Sequence, residues 1–103
     1  MGGGQVVDER VKAYAAIEST IADGLNALDE ISLKLEQCDA KTLYDAAELA
    51  WMLANFEMHN PYARKLFSVS ARAFSKLAGK KIDTSKPITL ERIQSSIAGL
   101  RKK

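Results

Sequence analysis

From Val7 onward, apolar residues recur at Val7, Val11, Tyr14, Ile17, Ile21, Leu25, Leu28, Ile31 and Leu35, in alternating steps of three and four. That spacing keeps them on one side of a helix that turns about 100° per residue, so the pattern predicts an amphipathic helix. The register passes through Asp23-Gly24 unbroken. A hairpin has no reason to hold that phase, which favours one long helix, straight or bent. A glycine can also end one helix and open another, and that alternative stays open.

Thr42-Leu43-Tyr44-Asp45 has the form of a capping box, with an acidic side chain placed to reach back to an orphan amide. It predicts a second helix to about Phe56. Leu43, Ala46, Ala47, Ala50, Leu53 and Ala54 form a small-residue face that lets another helix approach closely. Trp51, Met52 and Phe56 fall outside it, so this helix is expected to meet neighbours on two sides. Asn60-Pro61 reads as an N-cap followed by proline at the first helical position, where its missing N–H costs nothing. A third helix should run from there to Ala78 and stop at Gly79. Its expected core face is Ala63, Leu66, Phe67, Ser70, Ala73, Phe74 and Leu77. Arg64, Lys65, Ser68, Arg72, Ser75 and Lys76 share one arc of about 120° opposite, a basic stripe without an acid. After a polar connection to Pro87, a fourth helix begins beyond Thr89. Ile88 and Ile93 have the spacing of a hydrophobic staple, and Ile93, Ile97 and Leu100 form its apolar edge.

These elements predict an all-α fold: a small helical bundle or short stack of α-hairpins, with a long N-terminal helix and three shorter ones. Residues 1 to 6 are expected to be a flexible N-terminus and residues 7 to 103 one helical domain. Composition agrees with this picture. The 103 residues are 47% hydrophobic and 27% charged, with only two prolines, which suits one ordinary globular domain rich in helix. An offset of 47 residues aligns Thr42-Leu43, Ala46, Ala50 and Leu53 with Thr89-Leu90, Ile93, Ile97 and Leu100, as though two helix starts shared one repeat.

Charge is where the sequence departs from the ordinary. The net charge is +2, yet residues 1 to 59 hold four basic side chains against eleven acidic ones, and residues 60 to 103 hold eleven basic against Asp83 and Glu91. The two halves either neutralise each other or the basic half faces a polyanion. Chemistry-bearing clusters are scarce. His59 is the only histidine and Cys38 the only cysteine, so neither a histidine-built metal centre nor an intrachain disulfide fits one chain. The carboxylate pairs Asp8-Glu9 and Asp29-Glu30 lie on polar helix faces. No catalytic constellation, cofactor or small-molecule substrate is expected. A lone thiol suits an intracellular, reducing compartment, cytoplasm or organelle matrix. No apolar run reaches the roughly 18 residues of a membrane span, and Val6 stands where a myristoylation motif at Gly2 needs serine or threonine.

Residues 42 to 78, TLYDAAELAWMLANFEMHNPYARKLFSVSARAFSKLA, resemble a helical-hairpin repeat of the octotricopeptide and heptatricopeptide kind, also found in FAST-kinase-type proteins. The likeness lies in LAWMLANF, a short loop, then NPYARKLF and a second helix in which Phe67 is the anchoring aromatic. The resemblance implies an RNA partner within an organellar ribonucleoprotein. This unit departs from the family in its longer Lys80 to Lys86 loop, and the first 40 residues have no counterpart.

Two functional expectations follow. In the first, the chain is a scaffold or protein-interaction subunit, in contact with a protein partner or a second copy, whose Trp51, Met52 and Phe56 dock on that partner. In the second, it is an RNA-associated module. Arg64, Lys65, Arg72, Lys76, Lys80, Lys81, Arg101, Lys102 and Lys103 then face phosphates, or an acidic protein surface in their place.

Overall fold

In the computed structural model the described residues are 2–56 and 61–102, with side chains from Glu9 onward. They form a small all-α bundle, without a strand among them: α1 (Gly2–Leu33), a 3₁₀ turn (Leu35–Gln37), α2 (Ala40–Asn55), α3 (Pro61–Ala78) and α4 (Leu90–Arg101). The bundle measures 54 × 24 × 24 Å. Its long dimension is set by α1, whose 32 residues span about 48 Å.

Gly24 does not interrupt α1, and it sits close against α2. A Cβ built on it would lie 2.7 Å from Leu53 Cδ1. The buried side of the helix is therefore Thr20, Gly24, Ala27, Leu28 and Ile31. Of the expected stripe, Leu28 and Ile31 lie in the core, while Val11, Tyr14, Leu25 and Leu35 are exposed. The small residues Gly24 and Ala27 win the central positions because they let the backbones approach. α1 itself starts at Gly2.

α2 begins earlier than Thr42. Asp39 is its N-cap, its Oδ1 accepting the Thr42 N–H at 2.8 Å, and Asp45 instead pairs with Lys41 across one turn at 3.6 Å. Both Asp39 and Thr42 are acceptable caps by residue type, and the first is used because Ala40 and Lys41 continue the helix without strain. The whole small-residue face, Leu43, Ala46, Ala47, Ala50, Leu53 and Ala54, is buried. Leu49 and Met52 are buried as well, so α2 is covered over most of its circumference. A helix of that kind belongs at the centre of a bundle. α1, α3 and α4 all pack on it, and α4 also packs on α1.

The remaining ends follow their local chemistry. Gly79 takes φ +70°, and the Gly79 and Lys80 N–H groups both close back on Ser75 O, which ends α3 in a left-handed glycine cap. Thr89 caps α4 by accepting the Arg92 N–H at 3.1 Å, Ile93, Ile97 and Leu100 are buried, and Ile88 packs on the same core. The two helix starts aligned at an offset of 47 are thus capped differently, since Thr89 is a cap and Thr42 lies three residues inside its helix. Asn60, the expected cap of α3, and His59 lie outside the described residues.

Candidate functional site

α3 carries the densest unneutralised charge, and the way it packs decides what it displays. It rests chiefly on α2. Phe67, Ala71 and Phe74 are buried there, flanked by half-buried Ala63, Ser70 and Ala78. The expected core face was wider than this contact. Leu66 is 54% exposed and Leu77 57%, and Ala73 is exposed beside them. A single neighbouring helix covers only a narrow arc, so the outer part of a broad apolar face is left in solvent. Tyr62 and Val69 are exposed on the same arc. The outer half of α3 is therefore two strips side by side, an apolar one (Leu66, Val69, Ala73, Leu77) and a basic one (Lys65, Arg72, Lys76).

Arg64, Lys65, Arg72 and Lys76 are all exposed, and none forms a salt bridge among the described residues. The rest of the expected basic set is dispersed. Lys80 sits over the Tyr44 ring, 4.7 Å from its centroid, which pins the loop after α3 to α2. Lys81 is exposed. Arg101 is held by Asp23 of α1 at 3.8 Å, on a helix that α3 hardly touches, so the basic C-terminus does not extend the α3 strip. Lys102 is exposed, and Lys103 lies outside the described residues.

Trp51, Met52 and Phe56 do not form an exposed trio. Met52 is 1% exposed and belongs to the core, because three helices surround α2 and leave that side no solvent. Trp51 and Phe56 are half-buried against the core. Trp51 lines a shallow cleft with Ser68, Ala71, Arg72 and Ser75 of α3 and Ile82 of the following loop. α3 and its loop flank the indole, and α1 is not at that cleft.

The loop between α3 and α4 is tied down at several points. The Asp83 N–H donates to Tyr44 Oη at 3.2 Å, and the Ser85 N–H and hydroxyl both donate to Asp83 Oδ1. Those two Ser85 hydrogen bonds hold the Asp83 carboxyl below its ordinary pKa. Arg92 donates to Pro87 O at 2.6 Å and pairs with Glu48 at 3.5 Å. Cys38 is a free, partly buried thiol whose Sγ donates to Lys34 O. Among the described residues no group of three or more His, Cys, Asp or Glu is placed to hold a metal ion, and no helix is long and apolar enough to cross a membrane.

The fold and this surface define the class: a small all-α bundle with an amphipathic outer helix face. Compared with family models, curated proteins and solved structures, the chain matches none. The apolar strip on α3 takes Leu66, Ala73 and Leu77 out of the expected core face and adds Tyr62 and Val69, which had no assigned face. Its signal was present in the three-and-four spacing of Tyr62, Leu66, Val69, Ala73 and Leu77.

Proposed function

We propose that the chain is a non-enzymatic interaction subunit, a helical scaffold whose docking face is the outer half of α3. One observation carries this reading. Leu66, Val69 and Leu77 stand in solvent at more than half exposure along one helix face, next to Lys65, Arg72 and Lys76. A contiguous apolar strip costs free energy in water at roughly 25 cal/mol per Å², and covering it with a partner recovers that. The flanking cations direct such a helix toward an acidic groove or helix.

A second reading has its own support. The four basic side chains of α3 have no carboxylate partner among the described residues, and the hairpin at residues 42–78 has the look of RNA-binding repeats. In that reading Arg64, Lys65, Arg72 and Lys76 contact phosphates with little sequence choice.

Two variants of the full chain separate the readings when used as baits in lysate with and without nuclease. Under the interaction-subunit reading, Leu66→Gln with Leu77→Gln abolishes capture of a protein partner, and nuclease changes nothing. Changing Arg64, Lys65, Arg72 and Lys76 to Gln weakens capture only in part. Nuclease-sensitive capture that survives the leucine changes and is lost with the four cations overturns it. In the RNA reading each lost phosphate contact also lowers the log–log salt slope by about 0.7 to 0.9.

A further inference from the structure

α1 and α3 carry most of the exposed apolar surface, and within one chain they hardly touch. On α1, exposed Leu25 and half-buried Ile21, one side of which packs on the core, lie roughly 105° round the helix from the Gly24–Ala27–Ile31 side that faces the core. Glu18 and Asp29 border this arc, both exposed and without a salt bridge among the described residues. On α3 the arc of Leu66, Val69, Ala73 and Leu77 is bordered by Lys65, Arg72 and Lys76. One helix therefore offers an apolar strip with carboxylates and the other an apolar strip with cations.

The bundle sets the two strips at matching levels. Gly24 of α1 backs onto Leu53 of α2, and Trp51 and Asn55, on either side of Leu53 in the chain, line one cleft with Ser68, Ala71, Arg72 and Ser75 of α3. The α3 residue level with Gly24 is accordingly Ala71, 47 positions later. At that offset Glu18 is level with Lys65 and Asp29 with Lys76, and Ile21 and Leu25 fall within one residue of Val69 and Ala73. Short connections join α1 to α2 and α2 to α3, and helices joined so closely run antiparallel, so α1 and α3 share a direction. A two-fold axis along the bundle preserves both direction and level, and it sets α1 of each copy parallel to α3 of the other. The edges also agree. Glu18 and Asp29 border their strip on one side and Lys65 and Lys76 border theirs on the opposite side, the arrangement in which flanking charges meet across a parallel coiled coil.

From this we infer that the partner at the α3 face is a second copy of the chain. Two protomers close into a symmetric dimer in which the apolar arc of α1 packs beside that of α3 at two equivalent seams, with Glu18 facing Lys65 and Asp29 facing Lys76 at each. This rests on the reading of α3 as a docking face and names its occupant.

Sedimentation equilibrium on the full chain, treated with nuclease and taken over a range of concentrations, tests it. The wild type should show a reversible monomer–dimer equilibrium that weakens with added salt. Two charge-reversed variants, Glu18→Lys with Asp29→Lys and Lys65→Glu with Lys76→Glu, should each weaken it about tenfold or more with helicity unchanged, because like charges then meet at both seams. Mixing the two variants restores opposite charges at both seams, and the dimer should return. A wild type that stays monomeric, reversals that leave the dimer intact, or a mixture that stays monomeric each overturns the inference. A monomeric wild type whose capture of protein still depends on Leu66 and Leu77 removes the self-pairing alone. Loss of that dependence removes the docking face as well.

Discussion

Replacing Gly24 by alanine sets two effects of opposite sign against each other at a close approach between α1 and α2. In an ordinary helix interior the change stabilises by about 1 kcal/mol, since glycine is the more costly residue to order. Here the new methyl meets Leu53 Cδ1 at 2.7 Å and Cδ2 at 3.4 Å, with Ile97 Cδ1 at 3.6 Å. Carbon atoms in contact sit about 3.5 to 4.0 Å apart, so the first of these contacts is short by about 0.8 Å. Leu53 is fully buried and Ile97 is packed beside it, which leaves the leucine little room to turn away. Overpacking of this kind costs about 1 to 3 kcal/mol, and the net expectation is a destabilisation of about 0 to 2 kcal/mol. The informative comparison is the same change made in a Leu53→Ala background. Leu53→Ala alone should cost about 2 to 5 kcal/mol. With the isobutyl group gone the alanine methyl has space, and Gly24→Ala should then stabilise by about 1 kcal/mol. Urea unfolding followed by far-ultraviolet circular dichroism measures all four corners of the cycle. A Gly24→Ala variant that gains the full helix-propensity increment in the wild-type background refutes the close approach.

Asp39→Ala removes the cap of α2 and should cost about 0.5 to 2 kcal/mol in the same assay; no loss would place the helix start elsewhere. Met52→Ala should cost about 2 to 5 kcal/mol because Met52 lies in the core. A Met52→Ala chain of unchanged stability that has lost a partner would restore Met52 to the surface and refute its placement.

Local chemistry made much of the fold legible. Gly79 after a helix-forming run, Thr89 with its Ile88–Ile93 staple, and the unbroken spacing through Gly24 each depend on neighbours a few residues away, and each proved correct. The start of α2 was read three residues late because Asp39 and Thr42 satisfy the same requirement, and only the hydrogen bond to the Thr42 N–H distinguishes them. The expectation that α2 meets neighbours on more than one side also held, although Met52 turned out to be part of that burial.

Periodicity told which residues share a helix face, because that follows from the turn of the helix alone. It did not tell which part of a broad apolar face is covered, because that depends on how many neighbours a helix has and where they sit. α2 is ringed by three helices and buries Met52, whereas α3 rests chiefly on α2 and leaves Leu66 and Leu77 in solvent. The basic residues of α3 could be named from the chain, and so could Arg101. Their separation into an unneutralised strip on α3 and a side chain tied to Asp23 is a property of the packed bundle, since salt bridges form between positions that only the tertiary arrangement brings within reach.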